Sequence, residues 1–480
     1  MTFAEPLIFE VGAPGRRCVQ PPPDETAEIS LDDLAVEPTL PVLPEVSELD
    51  LLRHFTRLSH RNFSIETHFY PLGSCTMKYN PKINERTARM SGFAHLHPYQ
   101  SEADLQGALE LMYELERALC AIAGMDRFTL QPAAGAHGEM TALLMARAYF
   151  DHKGERRTKI LIPDSAHGTN PSSARLAGFK VVQVKSDARG NVDLEALKTH
   201  IDNEVACLML TNPSTLGVFE ENIVEIQRLI HEAGGLLYYD GANLNATMGY
   251  ARPGDMGFDL VHINLHKTFS TPHGGGGPGA GPVGARGELV DFLPSPLIEK
   301  NDGAFRFADA KHSIGRVRSF FGNFLILVRA YTYMRAHGPE GLKSVSEHAV
   351  LNANYLLSRL KEAYTLAYDR RAMHEFVLTA KRQKEKGVRA LDIAKKLLDY
   401  GFHAPTVYFP LIVEEAIMVE PTETESRQTL DAFAEAMLAI ARDAESDPQQ
   451  VLGAPRGLPV TRLDEVGAAR NPVLRWETPS

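Results

Sequence analysis

Two stretches of the chain decide its fold, Leu236-Leu-Tyr-Tyr-Asp-Gly-Ala-Asn243 and Leu260-Val-His-Ile-Asn-Leu-His-Lys-Thr268. Each begins with an apolar run of strand length, expected at 236–240 and 260–265, and continues into polar residues. Further strands are predicted at 159–163, 179–185 and 205–211, and helices between several of them at 138–152, 192–201 and 222–233. Strands that alternate with helices predict an α/β fold with a mostly parallel sheet covered on both faces.

Composition limits the classes of protein to which the chain can belong. Its 480 residues carry 50 Lys and Arg against 61 Asp and Glu, a net charge of −11, and 44% are hydrophobic. So much apolar material excludes a mainly disordered chain, and the acidic balance disfavours a general nucleic-acid binder. No window approaches the roughly 20 apolar residues of a membrane span, and the first residues lack the pattern of a signal peptide. Four cysteines without a CxxC pair indicate neither a zinc site nor a disulfide framework, so a cytoplasmic protein is expected.

A lysine and an aspartate at neighbouring strand ends indicate the chemistry. Lys267 follows an apolar strand between His266 and Thr268, where desolvation would lower the pKa of its amine and make it a nucleophile for a Schiff base. Asp240 ends the preceding strand, where a carboxylate can keep the pyridine nitrogen of pyridoxal phosphate protonated and so make the ring an electron sink. Taken alone, Lys267 reads best as a surface lysine and Asp240 equally well as a turn residue. The two together favour a pyridoxal phosphate site.

Other residues near these strand ends suit the remaining parts of that cofactor. The stretch Ala134-Gly135-Ala136 leads into a helix and offers unobstructed backbone N–H groups to a phosphate. His137 is a candidate to stack on the ring, and Ala242 is small enough to let the other ring face approach. Asn212 is a candidate for the ring hydroxyl, and His266 for a further cofactor contact. A structural role for His137 at the helix start and an Asn-Pro turn at Asn212 stay open.

A glycine-rich run from His273 to Gly284 follows the lysine. It contains Gly279-x-Gly281-x-x-Gly284, but no strand leads directly into it, so a dinucleotide site is rejected. A P-loop is excluded because Gly-Lys-Ser/Thr is missing, and an esterase oxyanion loop because the chain has no GxSxG. The run is interpreted as a close or mobile wall of the site. His95-x-His97 has no acidic or cysteine partner at ligand spacing, so no metal site is expected.

Three parts of the chain are predicted from these patterns. Residues 1–90 comprise a Pro- and acid-rich arm and an irregular active-site segment, residues 91–330 the large domain that binds pyridoxal phosphate, and residues 331–480 a small C-terminal α+β domain with a tail. Towards the C terminus, helices are expected at 324–334, 342–363, 390–398 and 425–444, and strands at 375–379, 407–408 and 417–419.

Six stretches together resemble the P-protein of the glycine cleavage system, the family of glycine dehydrogenase (decarboxylating) subunit 2. They lie between about residues 60 and 330, and as a set they are far more specific than any single motif. The stretches are Thr67-His-Phe-Tyr-Pro-Leu-Gly-Ser-Cys-Thr-Met-Lys-Tyr-Asn-Pro-Lys82, Gln131-Pro-Ala-Ala-Gly-Ala-His-Gly-Glu139, Asp164-Ser-Ala-His-Gly-Thr-Asn-Pro171, Thr211-Asn-Pro-Ser-Thr-Leu-Gly217, Asp240-Gly-Ala-Asn243 and Asn264-Leu-His-Lys-Thr-Phe-Ser270.

The resemblance implies a fold-type I, aminotransferase-like pyridoxal phosphate enzyme, EC 1.4.4.2. Such an enzyme decarboxylates glycine and passes the remaining aminomethyl group to the lipoyl arm of the H-protein. Lys267 is implied as the Schiff-base lysine and Asp240 as the partner of the pyridine nitrogen, with His137 as a third catalytic candidate. The family occurs as one long chain or as two subunits, and this chain resembles the second half. A subunit 1 partner, in an α₂β₂ heterotetramer, is therefore implied as well.

Weaker candidates for contacts with glycine are His167, Thr169 and Asn170, together with the turn Ser74-Cys75-Thr76. Fixed contacts are needed because the bond to the leaving carboxylate must stand perpendicular to the cofactor ring. Cys75 is expected to be a packed pocket residue rather than a nucleophile. Two alternatives stay open: another fold-type I enzyme, such as an aminotransferase or a cysteine desulfurase, and a non-catalytic scaffold, against which the intact Asp240 and Lys267 argue.

Overall fold

The computed structural model describes residues 4–20, 22–23, 25, 43–273 and 279–476. By their contacts the residues of the chain form two compact units, 1–68 with 454–480, and 69–453. The three predicted domains, 1–90, 91–330 and 331–480, follow other boundaries and stay a prediction. Within the described ranges no helix is both long and apolar enough to cross a membrane.

The helices of the described residues are numbered along the chain. They are α1 Ile8–Val11, α2 Glu48–Ser59, α3 Lys82–Ala88, α4 Ser91–Ala94, α5 Gln106–Ala123, α6 Gly135–His152, α7 Thr169–Leu176, α8 Leu194–His200, α9 Ile223–Glu232, α10 Leu265–Thr268, α11 Phe324–Leu360, α12 Lys381–Lys384, α13 Ala390–Asp399, α14 Arg427–Ser446, α15 Gln449–Leu452 and α16 Glu465–Arg470. Short 3₁₀ helices occupy Glu102–Leu105, Leu244–Ala246, Pro253–Met256 and Gly287–Phe292.

The smaller unit contains α1, α2 and α16. Ser47 caps α2, because its side chain accepts a hydrogen bond from the backbone N–H of Asp50 at 3.2 Å. The ring of Phe9 stacks on that of Trp476, with 4.7 Å between the ring centroids. Residues 26–42 of the predicted arm lie outside the described residues, and the packing of that arm on another surface stays a prediction.

A seven-stranded sheet forms the centre of the larger unit. Its strands are β1 Arg127–Thr129, β2 Lys159–Pro163, β3 Lys180–Val184, β4 Val205–Thr211, β5 Leu236–Gly241, β6 Leu260–Ile263 and β7 Val283–Ala285. They lie in the order β1-β7-β6-β5-β4-β2-β3. The five strands from β6 to β3 are parallel, and β7 runs antiparallel to both β6 and β1. The predicted fold class, a mostly parallel sheet with helices on both faces, is confirmed.

The apolar runs of the sequence form the middle of this sheet. All seven residues of β4 are buried, as expected for a parallel strand that helices cover on both faces. The strand predicted at 260–265 ends earlier, at Ile263, because the next residues turn into α10. The backbone N–H groups of Lys267 and Thr268 both donate to the carbonyl of Asn264, at 3.1 Å. Lys267 therefore lies in a single helical turn after the strand rather than directly at its end.

A smaller, four-stranded antiparallel sheet lies towards the C terminus of the larger unit. Its strands are β10 Thr365–Leu366, β11 Phe376–Thr379, β12 Thr406–Val407 and β13 Ala416–Val419, in the order β10-β11-β13-β12. The apolar faces of α13 and α14 pack on it through Ile393 and Phe433. The two helices expected at 324–334 and 342–363 are continuous in α11 except for a break at Gly338, where φ is 63°.

Strands β8 Leu297–Asn301 and β9 Ala304–Ala308 form an antiparallel hairpin that the sequence patterns did not predict. Asp302 and Gly303 form its two-residue turn with φ of 50° and 81°. Positive φ at both central positions is the hairpin geometry that Asp-Gly favours. The dipeptide Asp302-Gly303 was thus the sequence signal from which this hairpin could have been predicted.

Candidate active site

Asp240 lies at the end of β5, with 3% of its surface exposed. Its Oδ1 accepts a hydrogen bond from the backbone N–H of Ala242 at 3.0 Å, and its Oδ2 accepts one from the side-chain amide of Asn170 at 3.0 Å. Burial opposes ionisation, but His262, Asn170 and the N–H of Ala242 outweigh it, so the pKa of Asp240 lies below its ordinary value. The carboxyl end of the sheet therefore carries a fixed anion.

His262 supports this anion from the neighbouring strand β6. Its Nε2 lies 3.5 Å from Oδ1 of Asp240, and its Nδ1 forms a hydrogen bond with the hydroxyl of Tyr238. Burial lowers the pKa of His262, and the negative charge of Asp240 acts in the opposite direction. The Nε2 side of the ring faces Asp240, so a proton on Nε2 supports the charge of the carboxylate.

A second carboxyl group, that of Glu139 on α6, lies near Asp240. Its oxygens accept hydrogen bonds from the hydroxyls of Thr169 at 2.7 Å and Ser173 at 3.1 Å. Burial and the negative charge of Asp240 raise the pKa of Glu139 to about 7. Of these two buried acids, Asp240 is the permanent anion, and Glu139 changes its charge near neutrality.

Lys267 lies in α10 and is half-buried. Its Nζ donates a hydrogen bond to the carbonyl oxygen of Ser74 at 2.7 Å. The next residue is held by a second lysine, since Nζ of the buried Lys78 donates to the carbonyl of Thr268 at 2.9 Å and pairs with Glu423 at 2.7 Å. The segment 74–78 therefore packs against the turn that carries Lys267.

The turn Ser74-Cys75-Thr76 is shaped by two residues with positive φ, 62° at Ser74 and 49° at Thr76. Its backbone N–H groups donate to carboxyl groups, that of Ser74 to Glu375 at 2.6 Å and that of Thr76 to Glu420 at 2.8 Å. Burial raises the pKa of the Cys75 thiol, and the nearby charge of Lys267 offsets part of the effect. The thiol is therefore protonated near neutral pH and a poor nucleophile.

The start of α6 forms a cradle without side-chain obstruction. The N-cap residue of this helix, Ala134, has no polar side chain that could cap it, so the first N–H groups are available to an anion. A Cβ added to Gly135 would lie 2.4 Å from Oδ1 of Asn264, and one added to Gly281 would lie 2.1 Å from the carbonyl oxygen of Ala134. Both positions require glycine because strand, helix and loop approach each other closely there.

His137 and Asn212 flank this region, and their contacts keep both readings of each residue open. Nδ1 of His137 accepts a hydrogen bond from the backbone N–H of Ala133 at 3.2 Å, and burial lowers the pKa of the ring. Oδ1 of Asn212 accepts from the backbone N–H of Glu220 at 3.0 Å. Nδ2 of Asn212 is buried and has no hydrogen-bond partner in the described structure, so a donor is available there.

Among the weaker candidates on the substrate side, His167 and Thr169 contact each other, whereas Asn170 binds Asp240. Nδ1 of His167 lies 2.9 Å from the hydroxyl of Thr169, and the ring of His167 packs edge-on against Phe409. Burial lowers the pKa of His167, so its ring is neutral near neutral pH. Asn170 is fully buried, and its amide is taken up by Asp240. The side chain of Asn170 therefore binds the carboxylate of Asp240 and does not line an open pocket.

The described parts of the glycine-rich run pack closely on α10. Nδ1 of His266 accepts a hydrogen bond from the backbone N–H of Ala280 at 3.4 Å, and a Cβ added to Gly279 would lie 2.7 Å from the same nitrogen. The rings of His266 and His273 meet edge to face at 5.3 Å. Burial lowers the pKa of His266 to about 3 and that of His273 to about 4, so both are neutral. Residues 274–278 of the predicted wall lie outside the described residues.

Comparisons with known proteins decide the family. The family model of the glycine cleavage system P-protein matches residues 28–310, and that of the glycine dehydrogenase C-terminal domain matches residues 345–452. The chain belongs to the glycine cleavage system P-protein family. The family predicted from the sequence is thus confirmed.

Relatives within this P-protein family match over nearly the whole chain. The probable glycine dehydrogenase (decarboxylating) subunit 2 of Caldanaerobacter subterraneus subsp. tengcongensis is 61% identical over 476 residues, which is 98% of this chain and 98% of the relative. A protein of the same description from Desulforamulus reducens is 60% identical over 483 residues, 99% of each chain. The chain thus matches nearly the whole length of these relatives, which are described as subunit 2.

Solved structures show the same fold. The crystal structure of an inhibitor-bound glycine decarboxylase (P-protein) of the glycine cleavage system superposes with a TM-score of 0.72 at 22% identity, covering 85% of this chain and 94% of that chain. A Burkholderia pseudomallei sphingosine-1-phosphate lyase superposes with a TM-score of 0.63 at 15% identity, covering 87% and 97%. At these identities the likeness concerns the fold alone, and it agrees with the fold-type I architecture.

The groups of the candidate site fit pyridoxal phosphate by their chemistry. The buried carboxylate of Asp240, with its lowered pKa, suits a protonated ring nitrogen. The amine of Lys267 lies in α10, which directly follows the neighbouring strand β6. The uncapped start of α6, with its obligatory glycines, suits a phosphate. The unpartnered Nδ2 of Asn212 suits an anionic oxygen on the ring.

Several residues of this candidate site were not found from the sequence. They are His262, Glu139, Lys78, Glu375 and Glu420. Glu139 and Lys78 stand inside two of the family-like stretches, which was a usable signal. His262 interrupts an otherwise apolar strand, which is a weaker one. Glu375 and Glu420 reach the site only through the folding of a distant sheet, so no local pattern could reveal them.

Proposed function

We propose that this chain is the cofactor-bearing subunit of glycine dehydrogenase (decarboxylating). It removes the carboxylate of glycine as carbon dioxide and passes the remaining aminomethyl group to the lipoyl arm of the H-protein. Membership in the P-protein family and full-length relatives described as subunit 2 support this activity. The single structural observation that carries it is the buried, permanently ionised Asp240 one strand away from Lys267 at the carboxyl end of the sheet.

Pyridoxal phosphate is the proposed cofactor, and Lys267 is its proposed point of attachment. When bound, the ring supplies an electron sink for the negative charge that remains on carbon after carbon dioxide leaves. Asp240 is proposed to hold the ring nitrogen in its protonated form, with His262 and Asn170 fixing the carboxylate. This support lets the carboxylate face the ring without reorganising as charge develops.

The other proposed cofactor contacts enclose the ring from its remaining sides. The N–H groups of Gly135 and Ala136 are proposed to bind the phosphate, Asn212 the ring hydroxyl, and His137 and Ala242 the two ring faces. His266 is proposed as a further contact behind Lys267, where it already accepts a hydrogen bond from the glycine-rich wall.

Contacts with glycine are proposed for His167, Thr169 and the turn Ser74-Cys75-Thr76. Nδ1 of His167 accepts a hydrogen bond from the backbone N–H of Thr169 at 3.2 Å, so the neutral ring carries its proton on Nε2 and can donate it without adding a permanent charge. A carboxylate that is to leave as neutral carbon dioxide is better held by neutral donors than by a cation, because a cation would stabilise the reactant more than the transition state. Asn170 is proposed to act through Asp240 instead.

The proposed partners are a P-protein subunit 1, in an α₂β₂ heterotetramer, and the lipoylated H-protein. The description of the relatives as subunit 2 supports a partner subunit. A cytoplasmic location is proposed, and the four free cysteines Cys18, Cys75, Cys120 and Cys207 suit a reducing compartment.

Chemical trapping tests the proposed cofactor site directly. Borohydride treatment of the purified chain loaded with pyridoxal phosphate should attach the cofactor covalently to a single peptide that contains Lys267, as seen by mass spectrometry. The variant Lys267→Ala should lose both the visible absorbance of the cofactor and the labelled peptide. Labelling at another lysine, or scattered labelling, would contradict the assignment of Lys267.

A further inference from the structure

Three fully buried titratable side chains surround the turn 74–76: His374, Glu375 and Glu420. A ring nitrogen of His374 and a carboxyl oxygen of each glutamate all lie within 4.8 Å of one another. His374 and Glu375 immediately precede β11, and Glu420 immediately follows β13. Because Phe376 pairs with Val419 in the antiparallel register, the two glutamates come to face each other at the end of the small sheet.

The hydrogen bonds of the two carboxyl groups are unequal. Glu420 accepts three of them, from the N–H of Thr76 at 2.8 Å, the hydroxyl of Thr76 at 2.5 Å and the amide of Asn245 at 3.5 Å. Glu375 accepts one, from the N–H of Ser74 at 2.6 Å; its Oε1 has no hydrogen-bond partner in the described part of the chain and lies 3.6 Å from Nε2 of His374. Donated hydrogen bonds stabilise the charged form of a carboxyl group, so the anion belongs on Glu420.

Two carboxylates this close and this deeply buried do not both ionise, because their repulsion is poorly screened. The poorly bonded Glu375 therefore retains the proton. The other groups that face the pair are Lys267 from α10, Cys75 from the turn, His374 from the segment before β11 and Glu423 from the segment after β13. Burial lowers the pKa of His374 to about 3, so its ring is neutral and does not compensate a second negative charge.

We propose that Glu375 and Glu420 are positioning residues for Lys267, and that the pair holds the turn 74–76 with one negative charge, on Glu420, and one proton, on Glu375. The turn needs such support, because Ser74 and Thr76 both have φ values in the left-handed region. The carbonyl of Ser74 in turn receives Nζ of Lys267 at 2.7 Å. This inference rests on the proposed role of Lys267, but the protonation of the pair is measurable without cofactor.

Infrared spectroscopy tests the protonation. At pH 8 the cofactor-free chain should show the C=O stretch of a protonated carboxyl group that shifts in deuterium oxide. Glu375→Gln should remove this band, whereas Glu420→Gln should leave a protonated carboxyl group in place, because burial opposes the ionisation of Glu375 even without a charge on Glu420. Thermal unfolding of each variant verifies that the fold is kept. A band that is lost in Glu420→Gln and retained in Glu375→Gln would overturn the assignment.

Isosteric variants test the positioning of Lys267. A glutamine at 375 still accepts from Ser74 and is neutral like the protonated acid, so its affinity for pyridoxal phosphate should stay close to that of the wild type. A glutamine at 420 loses the charge, and its amide N–H groups meet either the backbone N–H of Thr76 or the side-chain amide of Asn245, which are both donors. Its affinity should fall about tenfold or more, and the pH midpoint of the cofactor's visible band should shift.

Two outcomes would contradict the proposal. The first is that both glutamine variants bind pyridoxal phosphate with wild-type affinity and an unshifted pH midpoint, because the pair would then have no influence on Lys267. The second is a stoichiometric metal ion in the purified chain that is lost in His374→Ala, since a cation and a retained proton exclude each other there. Failure of glycine decarboxylation by itself would contradict the proposed function and leave the infrared result standing.

Discussion

At the scale of single residues, the site depends on how burial and neighbours divide charge among nearby acids. Asp240 accepts two hydrogen bonds and faces the ring of His262, which keeps it ionised, whereas Glu139 is neutral below about pH 7. The positions of Asp240 and Lys267 after neighbouring strands were predictable because both follow apolar runs. Their partners were not, since a contact such as that of Lys267 with Ser74 joins residues far apart in sequence.

Replacement of Asp240 tests the fixed anion. Asp240→Asn keeps the size of the side chain and removes its charge, so the rate of glycine decarboxylation by the assembled enzyme should fall about a hundredfold or more. The control is Asp255→Asn, because Asp255 forms an exposed ion pair with Arg252 that contributes little. Steady-state kinetics measure both. Equal rates for Asp240→Asn and the control would exclude the role of Asp240.

Glu139 should make the stability of the cofactor-free chain depend on pH. Its pKa is raised to about 7 on folding, so the folded state binds this proton more tightly than the unfolded state. Its effect on stability is therefore neutral at pH values below the unfolded pKa and becomes increasingly unfavourable as the pH rises towards 7. The free energy of unfolding of Glu139→Gln, compared with that of the wild type, should therefore rise by roughly 2 kcal/mol between pH 5 and pH 8. Urea unfolding at the two pH values measures the difference, and an equal effect at both would contradict the raised pKa.

At the scale of elements, the long apolar and periodic segments were predictable and the short ones were not. The predicted strands at 159–163 and 205–211 coincide with β2 and β4, and the helices at 390–398 and 425–444 differ from α13 and α14 by one or two residues at an end. Strands β1 and β7 have three residues each, too few for a pattern. The turn 74–76 is held by carboxyl groups of the small sheet, which no local pattern contains.

The approach of the glycine-rich run to α6 supports a prediction at this scale. Gly281→Ala would place a Cβ 2.1 Å from the carbonyl oxygen of Ala134, so the start of α6 must shift. Stability should fall by about 1–3 kcal/mol, and the affinity for pyridoxal phosphate should fall with it. Gly107→Ala in α5 is the control, since nothing lies within 4 Å and the change should stabilise the helix by roughly 0.5–1 kcal/mol. Unchanged cofactor affinity in Gly281→Ala would argue against the phosphate cradle.

At the scale of the whole molecule, the fold class followed from the alternation of strands and helices, and the family from six stretches between residues 60 and 330. The contacts of the chain group residues 1–68 with 454–480, which join the two ends of the sequence. Composition could not reveal this grouping, because long-range packing is absent from local patterns.

Assembly is the prediction that belongs to the whole molecule. Co-expression of this chain with a P-protein subunit 1 should yield one complex that contains two copies of each, and native mass spectrometry should resolve it. A chain that stays monomeric beside a folded subunit 1 would contradict the proposed heterotetramer.

The central claim is that Lys267 and Asp240 make this chain the site of glycine decarboxylation, and isotope exchange tests it most directly. The assembled enzyme, supplied with lipoylated H-protein, should exchange labelled bicarbonate into the carboxylate of glycine, and the same assembly with Lys267→Ala should show no exchange. Undiminished exchange in Lys267→Ala, or transamination without exchange in the wild type, would contradict the account.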